Sequence, residues 1–179
     1  MLKEESVEVK LADFGFSQIL KDDELASIQC GTPLHMAPEI LNGHPYNYKA
    51  DMYSFGVSMF EALFGVTPFF GCDKKDLTRN VNTGLIRIPS NIEISNCCLD
   101  FQIKCLLFNS TERMSIDHAL NHPFMNPDSP QYMETISLKP LVPAAKTCSH
   151  LTTFNMSIKP SYSNFGGNFV YGLLGGLDN

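Results

Sequence analysis

Apolar and polar residues alternate through Val7-Glu8-Val9-Lys10-Leu11, which predicts a short strand. Met1-Leu2 is placed to pair with it as a hairpin turning through Glu4-Glu5-Ser6. No period continues through residues 16–38, where Gly31, Pro33 and Pro38 punctuate the chain. That stretch reads as one long loop, and a loop of such length in a compact domain is usually functional. Over residues 50–64, Met52, Phe55, Val57, Met59, Phe60, Leu63 and Phe64 lie nearly all round the helical circumference. Such a pattern predicts a helix buried in the middle of a bundle, stopped by Gly65 and Pro68. Further helices are predicted over 73–82, 97–108 and 115–121, the last with Ser115 as its N-cap and Pro123 beyond its end.

Past about Met125 the composition changes. Residues 126–179 are rich in Pro, Ser, Thr and Asn, poor in charge, and carry Gly-Gly pairs near the end. They read as a mostly disordered tail; as the alternative, Phe165, Phe169, Tyr171 and Leu173-Leu174 form a docking peptide. The expectation is therefore one folded unit over 1–125 and a tail over 126–179.

The 179 residues suffice for one domain with a real core. A net charge of −6 argues against a nucleic-acid surface. Six cysteines (Cys30, Cys72, Cys97, Cys98, Cys105, Cys148) form no C-x-x-C pair and read as reduced, mostly buried thiols of a cytoplasmic protein. The longest apolar run, 52–66, contains Glu61 and is too short to span a bilayer, so no membrane partner is expected.

Candidate chemistry sits in the loop and its flanks. Asp13-Phe14-Gly15 is followed in order by Gly31-Thr32-Pro33, Ala37-Pro38-Glu39, Asp51-Met52-Tyr53-Ser54-Phe55-Gly56, and Arg113 ahead of His122-Pro123-Phe124. Each motif alone is weak, but the ordered set resembles the C-terminal lobe of a eukaryotic-type serine/threonine protein kinase, from its metal-binding turn to its last helix, over about residues 1–125. The resemblance implies a mainly α fold, a helical bundle with one short N-terminal β-hairpin. It also implies ATP-dependent phosphoryl transfer to protein Ser or Thr, with ATP and Mg²⁺ as cofactors and a protein as substrate.

In that resemblance Asp13 is the Mg²⁺ ligand, Phe14 packs inward to set the turn's position, and Gly15 supplies backbone freedom. Glu39 and Arg113 form a buried ion pair under the activation segment, a structural tie without a chemical role. Thr32, ahead of Pro33, lies beside the acceptor residue and favours Ser/Thr over Tyr. Ser27 neighbours the activating-phosphorylation position, which Ile28 occupies. Glu61 either faces a basic substrate residue or is an exposed helix carboxylate. Asp51 would hold the catalytic loop.

The chain departs from the family pattern in what it lacks. It contains no glycine-rich phosphate loop, no Val-Ala-x-Lys strand and no His-Arg-Asp…Asn catalytic loop, so no catalytic residue is assigned. Ser58 and Ala62 are small where large apolar residues usually support the adenine site. The expectation is a fragment beginning just before Asp-Phe-Gly, inactive and without ATP affinity alone, whose full-length product is a kinase. The alternatives are a non-catalytic kinase-like binding module, with a protein partner covering the exposed core, and a gene remnant without function.

Overall fold

The computed structural model describes residues 9–21, 23–89, 93–126 and 128, together with the strands Thr135–Ser137 and Thr153–Ser157. The fold is mainly helical. Its centre is α2 (Lys49–Phe64), preceded by a 3₁₀ turn Pro33–His35 and the single turn α1 (Pro38–Leu41). After it come α3 (Lys74–Thr83), β1 (Leu85–Pro89), β2 (Glu93–Ser95), α4 (Asn96–Cys105), α5 (Ile116–Leu120), a second 3₁₀ turn Pro123–Met125, β3 (Thr135–Ser137) and β4 (Thr153–Ser157).

Local chemistry sets the helix limits. Gly65 adopts φ 71° past the last residue of α2 and Gly84 φ 66° past α3, the left-handed caps that glycine forms without a Cβ penalty. Asp73, Ser95 and Ser115 each accept a backbone N–H at the start of α3, α4 and α5, satisfying a donor that would otherwise be orphaned.

Two apolar clusters make the core. The larger joins Met36, Ala37, Ile40 and Leu41 to Tyr53, Val57 and Phe60 of α2, Leu77 and Val81 of α3, Ile86 and Ile88 of β1, and Leu106. The smaller gathers Met52, Phe101, Cys105, Met114 and Ala119. Helices α2 and α4 approach closely at Gly56. A Cβ there would stand 2.7 Å from the Cys105 Cβ, and the Gln102 side chain donates to the Gly56 carbonyl at 2.6 Å.

The structure departs from the sequence reading in four places. Val9 and Leu11 belong to no strand and are each 88% exposed; the expected partner Met1-Leu2 lies outside the described residues. Helix α2 is buried on one side only: Tyr53, Val57 and Phe60 face the core, while Phe55 is 52% exposed. Strands β1 and β2 were not anticipated. They pair antiparallel with β4 and β3, Ile86 opposite Met156 and Ile94 opposite Ile136. Those two partners fall within 126–179, so these eight residues form strand inside the stretch expected to be a mostly disordered tail.

Candidate functional site

The site is built along residues 13–39 and the helix beneath them. Asp13 has φ +63°, a left-handed conformation that a non-glycine residue holds at some cost. Its Oδ1 faces the Gly15 N–H at 3.4 Å, and the Ser17 N–H and hydroxyl both donate to the Phe14 carbonyl, closing the turn. Phe14 does not pack inward: it is 67% exposed, because the described residues offer no apolar surface opposite it. The expected inward Phe14 is thus corrected for this chain.

Further along, the segment is pinned to the body. Ala26 and Tyr46 exchange both backbone hydrogen bonds, at 2.8 and 2.9 Å. The Tyr46 hydroxyl donates to the Ile28 carbonyl at 2.7 Å, and burial raises that phenol's pKa. Gln29 bridges two elements, donating to the Ile40 carbonyl and accepting from the Lys74 ammonium. Ser27 stands exposed between these anchors. Thr32 is the N-cap of the Pro33–His35 turn, its hydroxyl making no capping bond. The Ser54 hydroxyl of α2 fastens the same turn by donating to the His35 carbonyl at 2.8 Å. His35 Nε2 lies 3.3 Å from the Glu61 carboxylate, so Glu61 is neither a lone surface charge nor free of a local partner.

The strongest electrostatic feature lies under the segment's end. Arg113, with no side-chain surface exposed, donates to both Glu39 oxygens, at 2.7 and 2.9 Å. Its remaining N–H groups reach the carbonyls of Lys49, Leu107 and Phe108. All five guanidinium donors are therefore used. The guanidinium also lies over the Tyr53 ring, 5.0 Å from its centroid. Sequence reading found the Arg113 and Glu39 pair but not the carbonyl shell, which has no side-chain signature.

Asp51 projects from the first turn of α2. Among the described residues its carboxylate has no hydrogen-bond partner, and the protein mass around it raises its pKa above the ordinary value although the side chain reaches solvent. Asp51, Phe55, Ser58 and Ala62 follow one another at helical spacing, and all are exposed. They form one uncovered stripe on the otherwise central helix.

Among the described residues no three His, Cys, Asp or Glu side chains cluster to hold a metal ion. Asp13 presents a single carboxylate, of which the turn engages only Oδ1. That suits Mg²⁺, which is usually held by one or two carboxylates with the rest of its shell from substrate phosphates and water. No helix among the described residues is long and apolar enough to cross a membrane.

Comparison with known proteins agrees with this geometry. Residues 1–125 match the family model for the protein kinase domain. The chain is 37% identical over 125 residues to the serine/threonine-protein kinase ATG1c of Arabidopsis thaliana, covering 69% of this chain and 17% of that protein. It is 40% identical over 119 residues to the serine/threonine-protein kinase kin-29 of Caenorhabditis briggsae, covering 66% and 14%. A probable cell cycle serine/threonine-protein kinase, the CDC5 homolog of Encephalitozoon cuniculi, is 34% identical over 120 residues, covering 66% and 25%. The chain spans about a quarter or less of the length of these relatives. The order of motifs, the Glu39–Arg113 fork and the family match lead to one conclusion: the chain belongs to the protein kinase domain family, of the eukaryotic serine/threonine type.

Proposed function

We propose that residues 1–125 are the part of a kinase C-terminal lobe running from the metal-binding turn to the last helix. In this reading the full-length product transfers the terminal phosphoryl group of ATP to Ser or Thr of protein substrates. The observation that carries it is the Glu39–Arg113 fork, standing at its expected place behind an Asp-Phe-Gly turn. Asp13 would hold Mg²⁺, which supplies charge to offset the developing negative charge on the transferring group. Phe14 and Gly15 shape that turn. Thr32 and Pro33 lie beside the acceptor, and Glu61, already near His35, contributes negative charge to the substrate side. Ser27, exposed between the anchored Ala26 and Gln29, is the modifiable residue of the segment.

The chain alone is inactive in this reading, because its sequence supplies neither a catalytic base nor a phosphate-binding lysine strand. The stripe of Asp51, Phe55, Ser58 and Ala62 supports a further covering element in the full-length product. A second reading, a non-catalytic module that docks a protein partner on this stripe, is favoured by the small side chains of Ser58 and Ala62.

The test is a transfer assay with γ-labelled ATP and Mg²⁺ on a basic acceptor protein, run on the full-length product and on the 179-residue chain. The reading expects label on phosphoserine and phosphothreonine from the former and none from the latter. Transfer by the short chain alone, or label confined to phosphotyrosine, would overturn it. A full-length product that binds partners but transfers nothing would favour the second reading.

A further inference from the structure

Helix α3 carries Lys74, Lys75 and Arg79 within six positions of a chain whose net charge is −6. With Thr78 and Asn82 they line an open groove of about 640 Å³. Of the helix's own carboxylates only Asp76 meets this face, through Arg79, which leaves Lys74 and Lys75 as its uncompensated cations. The Asp73 carboxylate accepts the Asp76 N–H at the helix start, and Asp76 accepts the Cys72 N–H and pairs with Arg79; neither lines the groove. Lys75 has no carboxylate or hydrogen-bond partner among the described residues. Lys74 donates to the neutral Gln29 side chain, so its charge is not compensated there. The neutral members are already occupied: the Thr78 hydroxyl donates to the Lys74 carbonyl, and Asn82 exchanges amide hydrogen bonds with Asn42. What the groove offers a ligand is therefore cationic heads above aliphatic stems, with little capacity to read other polar groups.

We propose that this face of α3 docks a carboxylate-rich segment of a protein partner. Charge complementarity selects the partner's chemistry: on a chain with more acids than bases, a cluster of exposed cations attracts an acidic segment that the net charge elsewhere repels. The groove also adjoins the loop that carries Ser27 and Thr32, because Lys74 reaches Gln29 and Gln29 reaches the Ile40 carbonyl. A segment bound there lies beside that loop. The proposal concerns binding alone and stands or falls independently of phosphoryl transfer.

Fluorescence anisotropy of a labelled hexaglutamate peptide, titrated with the 179-residue chain at low salt, tests it, with a hexaglutamine peptide as neutral probe. The expected result is saturable binding of the acidic peptide only, weakening as salt screens it. Lys75→Glu should weaken it about tenfold, and Lys75→Gln by a smaller factor. Lys21→Glu, which changes net charge equally at a residue that does not line the groove, should leave it within about twofold. Far-UV circular dichroism matching the parent shows that each variant keeps its fold. Absence of saturable binding, equal binding of hexaglutamine, or equal loss in Lys21→Glu and Lys75→Glu would overturn the proposal.

Discussion

Removing the Glu39 carboxylate is the most informative single perturbation. In Glu39→Ala the Arg113 guanidinium stays where it is, with none of its side-chain surface in water and its Tyr53, Lys49, Leu107 and Phe108 contacts intact. It then keeps a buried positive charge and two N–H groups without acceptors. Each buried donor left unsatisfied costs about 1–3 kcal/mol, and breaking one partner of a buried pair costs about 3–5 kcal/mol in all. Domain stabilities are about 5–15 kcal/mol, so this one change takes a large share. With a urea dependence of roughly 2 kcal/mol per molar, the unfolding midpoint should fall by about 1.5–2.5 M. Replacing both partners, as in Glu39→Leu with Arg113→Met, should recover at least half of the loss, because no charge is then stranded. A Glu39→Ala midpoint within about 0.3 M of the parent would refute the reasoning, as would a double variant no better than the single one.

Three further outcomes follow from the same packing. Gly56→Ala forces a methyl against the Cys105 Cβ at 2.7 Å and should cost about 1–3 kcal/mol in urea unfolding; unchanged stability would show that α2 and α4 can part freely. Burial raises the Asp51 carboxyl above its ordinary value, so the folded chain binds that proton more tightly than the unfolded one. The ionised group therefore lowers stability as pH rises through the folded value, and Asp51→Asn should raise the midpoint at pH 7, with the gain shrinking towards the ordinary carboxylate range. A lower midpoint at pH 7 would contradict this. Burial pushes the Cys98 thiol up to about 11 and Cys105 up to about 12, whereas Cys72 is exposed. A disulfide reagent at pH 8 should modify Cys72 at once and reach Cys98 and Cys105 only on unfolding; early labelling of Cys105, read by peptide mass, would argue against the packing of the smaller cluster.

The helices were largely legible in the sequence. The prediction of 50–64 meets an observed Lys49–Phe64, and 73–82 meets Lys74–Thr83, because caps at Gly65, Asp73 and Gly84 are local chemistry. Strand β1 left a weak trace, Leu85-Ile86-Arg87-Ile88, but its partner β4 lies far along the chain, and no local pattern specifies so distant a pairing. The burial of α2 was overread: an apolar circumference shows that a helix can be enclosed, and which side is covered depends on the neighbours present. Phe14 fails to turn inward for the same reason. At the site, Glu39 and Arg113 could be paired from their motifs, whereas the carbonyls that complete the Arg113 shell, the His35–Glu61 contact and the Gln29 bridge depend on where the backbone passes.

On the proposed function, Asp13 serves a metal-dependent phosphoryl transfer. The most direct test of that role is transfer from γ-labelled ATP by the full-length product at several Mg²⁺ concentrations, wild type against Asp13→Asn. The account predicts loss of at least about a hundredfold, since removing one well-placed electrostatic group costs roughly that much, with the variant's thermal midpoint unchanged because Asp13 is exposed. An Asp13→Asn protein that transfers phosphate at the wild-type rate and with the wild-type Mg²⁺ dependence would contradict it.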